Sequence, residues 1–333
     1  MTKIGAIGAA ALATLVLACG STARHATGRH ATGRKVSDRH ATGKQASDRH
    51  ASGSAALRPV PAPLFGVTIN QVSDLSQIVA SSRRLSHRQT TRIYFNVMRP
   101  PAYYAKAVRV LHPDSYLMGE LLDSSEETGI STSAFGARTK AYLRAFGAKI
   151  DIWEIGNEVN GDWLGSYRTV SAKLTEAYRA VAARHFRTAL TLYYNAGCGD
   201  GSQELSPIAF TRKYVPATVR GGLDYVLLSY YEDSCRGIRP SAAQWTSFFK
   251  QLHKLYPHAQ LGFGEIGMVN PVTATTLASA RSLMAHYYGL KIDLRYYVGG
   301  YFWWYYTEDC LPAASKPLWP VLNRGFQAEA AAH

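Results

Sequence analysis

Beyond its first twenty residues the chain has no run approaching the ~18 consecutive apolar residues that a membrane-spanning helix needs, which excludes a bundle of membrane-spanning helices. Its four cysteines include no Cys-x-x-Cys pair, so the usual spacing of a structural zinc site is missing. The P-loop, the Gly-x-Ser-x-Gly nucleophile turn and the glycine-rich dinucleotide fingerprint are also missing from any supporting context, and with them the enzyme classes they mark. Acidic residues are scarce, 23 Asp and Glu against 37 Lys and Arg, giving a net charge of +14. That imbalance is concentrated: residues 20–58 hold eight Lys or Arg against Asp38 and Asp48, a net of +6. A basic balance that belongs in substantial part to one terminal segment points to an anionic lipid or cell-wall polymer more than to nucleic-acid recognition.

The N-terminus reads as an export signal. Lys3 precedes a small and apolar run from Ile4 to Ala18, too short to span a bilayer, which ends at Cys19. Val16, Leu17, Ala18 and Cys19 resemble the lipobox of bacterial lipoproteins, which implies acylation of Cys19, a membrane anchor and an extracytoplasmic location; the alternative is a plain signal peptide cut near Ala18 and a secreted chain. A pentapeptide array follows, with RHATG at Arg24, Arg29 and Arg39 and RHASG at Arg49. It has almost nothing to bury and is expected to be a disordered tether. His25, His30, His40 and His50 lie in this spacer, where no fixed geometry favours metal binding. The expected organisation is therefore a signal peptide over 1–18, a basic tether over 19–58 and one catalytic domain over 59–333.

From Pro59 onward, short β-rich apolar runs alternate with stretches able to form helices. Eight such runs begin at Leu64, Arg92, Ser115, Ile150, Ala189, Asp224, Gln260 and Gly299. Helical candidates between them are 75–87, 103–111, 134–146, 166–184, 241–256 and 275–288. This alternation predicts parallel strands joined by right-handed crossovers. Eight of them in roughly 275 residues, without a phosphate-binding turn, predict a closed (β/α)8 barrel in the α/β class.

In such a barrel the chemistry sits at the carboxyl ends of the strands. Strand four runs into Gly156, Asn157 and Glu158, and strand seven into Gly264 and Glu265. Burying acidic residues is costly without partners, whereas a carboxyl pair facing one mouth is what glycosidic cleavage uses. The strings WEIGNEVNG around Glu158 and GFGEIG around Glu265, with tryptophan at strand eight, resemble the TIM-barrel glycoside hydrolases of clan A, whose members retain anomeric configuration. The likeness covers essentially Leu64 to Phe326, and only the strand ends are motif-specific.

Carried over residue by residue, the resemblance implies Glu158 as acid/base and Glu265 as nucleophile. Asn157 would bind the sugar hydroxyl beside the anomeric carbon. Tyr231, or alternatively Tyr230, would hydrogen-bond the nucleophile; a histidine often stands two residues earlier in the family, and here that place holds Ser229. Arg92, with Arg99 as the competitor, would keep the nucleophile anionic. Of Trp303 and Trp304 one is expected to line the site, Trp304 by preference, and Trp163 is a candidate sugar platform. Asp123, Asn195 and Glu232 lie near strand ends, within reach of sugar hydroxyls or in structural roles.

Cys198, Cys235 and Cys310 follow strands five, six and eight. An exported chain permits disulfides, and strands five and six are neighbours, so Cys198 is expected to pair with Cys235, with Cys310 free or the alternative partner. The expected enzyme is a monomer acting on an oligo- or polysaccharide without cofactor or metal. A transglycosylase on the same residues and a non-catalytic carbohydrate-binding barrel are the alternatives. A metal-dependent barrel hydrolase is disfavoured, because His87, His112, His185, His253 and His286 fall in helices or between elements.

Overall fold

A computed structural model describes residues 57–195, 198 and 204–332. The signal segment, Cys19 and nearly all of the tether lie outside the described residues.

The chain alternates strand and helix from Leu64 onward. The first half comprises β1 (Leu64–Ile69), α1 (Leu75–Ser82), β2 (Thr90–Tyr94), α2 (Pro101–Leu111), β3 (Tyr116–Glu120), α3 (Thr132–Phe146), β4 (Ile152–Glu154) and α4 (Tyr167–Ala182). The second half comprises β5 (Thr188–Tyr193), α5 (Pro207–Tyr214), α6 (Ala217–Arg220), β6 (Tyr225–Tyr230), α7 (Ala242–His253), β7 (Gln260–Ile266), α8 (Leu277–Tyr287), β8 (Tyr297–Trp303), α9 (Tyr306–Cys310) and α10 (Trp319–Ala330). The strands pair in sequence order, all parallel, and β8 closes on β1. This is the eight-stranded barrel the sequence predicts.

Helix starts follow local chemistry. Asp74, Ser131, Ser206 and Ser241 each accept a backbone N–H of the first turn, and Gln244 reciprocates to Ser241 in a capping box. Four helices were not predicted. α5 and α10 carry proline in their first turn and α10 also carries Gly325, α6 has only four residues, and α9 has five. Their patterns are too short or too interrupted for periodicity to register. Conversely, α1 stops at Ser82, five residues short of the expected His87.

Alternation along the strands divides the core in two. Leu64, Met118, Ile152, Ala189, Tyr225, Leu227, Val298 and Phe302 fill the lower barrel interior. The opposite phase, with Val67, Ile93, Leu190, Val226 and Phe263, packs under the helices. Above the apolar layer the same inward phase turns polar: Arg92, Glu120, Glu154, Thr191 and Ser229 are all fully buried.

Two distortions shape the upper barrel. In β7 the register slips so that Leu228 faces Phe263 while Ser229 faces Glu265, making Gly264 the extra residue of a bulge. Strict alternation from Phe263 would send Glu265 outward under the helices; the bulge returns it to the interior. Glycine is needed there, since a Cβ on residue 264 would meet Thr191 Oγ1 at 2.7 Å. In β8, Gly299, Gly300, Tyr301 and Phe302 all have positive φ, and the register shifts against both β1 and β7. A Cβ on Gly300 would lie 2.4 Å from the Phe263 carbonyl oxygen.

Candidate active site

Glu158 ends the β4 turn with φ of +47°, a backbone conformation that costs a non-glycine residue energy. Both its carboxylate oxygens are engaged. Ser124 Oγ, just past β3, donates to Oε2 at 2.7 Å, and Ser229 Oγ, on β6, donates to Oε1 at 2.5 Å. Burial pushes the Glu158 carboxyl up to about 8; the negative charge of Glu265 adds to the rise and the two serine hydroxyls oppose it.

Glu265 accepts three hydrogen bonds. Tyr231 Oη donates to Oε1 at 2.6 Å, Arg92 Nη1 to Oε2 at 2.8 Å, and Asn157 Nδ2 to Oε2 at 3.2 Å. Burial raises its pKa above the ordinary carboxylate value, while the Arg92 guanidinium and the Tyr231 hydroxyl pull it down. Asn157 also takes the Ser124 N–H on its Oδ1 at 3.1 Å. The residue preceding one glutamate therefore touches the other, which brings the ends of β4 and β7 together.

Arg92 is fully buried beneath them. Nε and Nη2 hold Glu154 at 2.6 and 3.1 Å, and Nη2 lies 3.0 Å from Glu120. Burial holds the Glu120 carboxyl well above the usual range despite the nearby guanidinium. Trp304 lies at the mouth with the Arg92 guanidinium 5.4 Å from its ring centre and Tyr94 6.1 Å away.

Two expected contributors are not at the site. Tyr230 is out of phase with Ser229 and Tyr231: it is buried under the helices, donates to the Ile238 carbonyl at 2.6 Å and packs against Trp245. Trp303 likewise points outward and is fully buried, its Nε1 donating to Asp309 at 2.8 Å. Neither presents a surface to a substrate. Arg99 stacks on Tyr103 at the exterior, which leaves Arg92 as the arginine beside Glu265. Trp163 is 38% exposed in the short turn after β4.

Asp123 caps the turn at Ser124, Asn195 reaches the Leu205 carbonyl at 3.4 Å, and Glu232 is held by Arg239 at 2.6 and 2.8 Å. Cys198 and Cys235 form a disulfide with Cα atoms 4.9 Å apart, tying the loop after β5 to the loop after β6. Cys310 is free and buried. Among the described residues no three His, Cys, Asp or Glu gather in a metal-binding arrangement, and no helix is long and apolar enough to cross a membrane.

Sequence reading missed Ser124, Glu120, Glu154 and Tyr94. Glu120 and Glu154 were visible as acidic residues inside apolar strands, in phase with Met118 and Ile152. Ser124 carried no signal, since its partner is 34 positions away.

No family model and no curated protein sequence matches the chain. Solved structures do. A family GH10 xylanase from Bispora sp. MEY-1 with xylobiose matches at a TM-score of 0.56 and 12% identity, over 80% of this chain and 97% of that one. A glycoside hydrolase family 5 enzyme from Prevotella bryantii B14 matches at 0.53 and 11%, over 82% and 97%. A family GH5-4 broad-specificity endoglucanase from an uncultured bacterium matches at 0.52 and 11%, over 79% and 86%. At these identities the likeness is one of fold, and the residues of the mouth carry the functional argument.

Proposed function

We propose that this barrel is a retaining glycoside hydrolase acting on O-glycosidic bonds of an oligo- or polysaccharide, with Glu158 as acid/base and Glu265 as nucleophile. The observation that carries the reading is the contrast between the two carboxyls. Glu158 is pushed up to about 8 and so holds a proton at neutral pH, while Glu265 accepts three donors that favour its anion. In the first step Glu265 attacks the anomeric carbon as the bond to the leaving oxygen breaks, and that oxygen takes the Glu158 proton. In the second, Glu158 removes a proton from water, which attacks the same carbon and expels Glu265 with configuration restored. The carboxyl separation expected for this chemistry is about 5–5.5 Å.

Asn157 takes the sugar hydroxyl next to the anomeric carbon, and Trp304 offers a flat apolar face beside the scissile bond. The same reading gives the chain an export signal and a lipid anchor at Cys19.

Incubating the full chain with aryl glycosides and with plant, fungal and bacterial polysaccharides tests the reading, with Glu265→Ala as control. Turnover by the wild type and its loss in the variant are expected; unchanged turnover in Glu265→Ala refutes the assignment.

A further inference from the structure

The end of the barrel away from the mouth is basic. The segments that lead from a helix into β2 through β8 hold nine Lys or Arg, four Asp and no Glu. All strands are parallel, so these segments gather at the amino ends of the strands, opposite Glu158 and Glu265. Three of the four acids are already engaged. Asp151 is buried and held by Arg58, Asp114 pairs with Arg83 at 3.0 Å, and Asp224 accepts the Thr188 N–H and hydroxyl at 2.8 and 2.9 Å. Lys149, Arg184, Lys254, Lys291 and Arg295, by contrast, are exposed and have no ion-pair partner among the described residues. They precede β4, β5, β7 and β8, which spreads the charge round the face. The connecting segments are between four and nine residues long, so the face is a broad surface of short turns and not a groove.

The chain enters the barrel at this same face. Arg58 donates from Nε to Asp151 at 2.9 Å, from Nη1 to the His112 carbonyl at 2.7 Å and from Nη2 to the Ser115 carbonyl at 3.1 Å, and it lies 5.2 Å from the centre of the Tyr116 ring. Two residues on, Val60 packs against the lower barrel interior. The basic segment 20–58 therefore joins the barrel beside the unpaired cations, and the two carry the same sign of charge.

We propose that the amino-end face of the barrel docks on an anionic phospholipid bilayer, which turns the mouth away from the lipid. Cations within a Debye length of such a surface are each attracted to it, and mobile headgroups gather beneath cations scattered over a plane. A linear polyanion is matched by cations along a track, which this face lacks. The consequence for substrate rests on the hydrolase reading, whereas the docking does not: the sugar chain reaches the enzyme from the side remote from the bilayer and is not a glycan of the headgroups beneath it.

The full chain carrying Cys19→Ser, which removes the acylation site and keeps the tether, separates this face from any lipid anchor. It is sedimented with vesicles of phosphatidylcholine, alone or with one third phosphatidylglycerol, at low and high salt. Binding to the anionic vesicles is expected to exceed binding to the neutral ones at least tenfold and to fall with salt. In the same background Lys149→Glu/Lys291→Glu is expected to lose at least tenfold of that binding. Arg168→Glu/Arg281→Glu reverses as many exposed charges near the mouth-side starts of α4 and α8 and is expected to lose less than threefold. A donor fluorophore on Arg184→Cys is expected to transfer more energy to acceptor-labelled headgroups than one on Met98→Cys, which follows β2 at the mouth; the other cysteines are disulfide-bonded or buried. Equal losses in the two double variants, equal transfer from the two labels, or tighter retention by poly(glycerol phosphate) than by the vesicles overturns the docking face. A wild type inert toward every glycoside overturns the hydrolase reading and leaves the docking face standing.

Discussion

Arg92 Nη1 lies 2.8 Å from Glu265 Oε2 and joins β2 to β7, strands that are not neighbours in the barrel. The same guanidinium pairs with Glu154 and lies 3.0 Å from Glu120, so a single buried cation serves three carboxyls. Burial raises the Glu120 pKa well above the usual carboxylate range and so favours its neutral form, with the Arg92 guanidinium opposing.

Replacing Arg92 by methionine removes the cation and keeps much of the bulk. Stranding buried carboxyls in this way is expected to cost about 3–5 kcal/mol of stability, measured by urea denaturation. In whatever fraction folds, the acidic limb of kcat/KM moves to higher pH, because Arg92 is the largest influence lowering the Glu265 pKa. A stability change near zero together with an unmoved acidic limb contradicts the arrangement.

The pH dependence of the wild type follows from the same two carboxyls. Glu265 must be ionised, so activity falls as pH drops through its pKa, which burial sets above the usual carboxylate range. Glu158 must be protonated, so activity falls as pH rises past about 8. Because the two charges interact, the limbs report the pair. Ser229 donates to the Glu158 carboxylate and favours its ionised form, so Ser229→Ala is expected to move the alkaline limb upward. A downward shift in the kcat/KM profile is the contrary result.

This far the sequence was a good guide. Asn157–Glu158 and Gly264–Glu265 follow apolar runs, and strand count plus chemistry places both at one mouth. Alternation could also say that only one of Tyr230 and Tyr231, and one of Trp303 and Trp304, faces inward. It could not reveal the bulge at Gly264, which reverses the phase of Glu265 relative to Phe263. Nor could it reveal Ser124 and Ser229 meeting on Glu158, because a contact between three separate strand ends leaves no periodic trace.

Glu329, in α10, offers a test away from the mouth. Its Oε1 accepts the Gly300 N–H at 3.3 Å, Oε2 has no hydrogen-bond partner among the described residues, and burial raises its pKa well above the unfolded value. A raised folded pKa means the unfolded state releases the proton first. Stability from this group is thus intact below about pH 4.5 and declines as pH rises toward the folded pKa, by up to about 1.4 kcal/mol per unit. Glu329→Gln is expected to flatten the fall of Tm between pH 5 and 9. An unchanged slope would mean the carboxyl is not buried and neutral.

The disulfide between Cys198 and Cys235 closes a loop over a sequence separation of 37. Chain-entropy arguments assign such a loop about 4 kcal/mol. Cys198→Ala/Cys235→Ala is expected to lower Tm by several degrees, and because Cys198 and Cys235 follow the carboxyl ends of β5 and β6, KM for oligosaccharides should rise with it. Calorimetry showing no change in Tm contradicts that role.

The central claim is that Glu265 bonds to the sugar. A 2-deoxy-2-fluoroglycosyl fluoride of the hydrolysed sugar slows both steps but leaves the first possible, so the ester accumulates. Peptide mapping by mass spectrometry is predicted to find one fluorosugar per chain, on the peptide containing Glu265, and none in Glu265→Ala. Label on any other residue, or turnover with inversion of configuration and no label, would contradict the account.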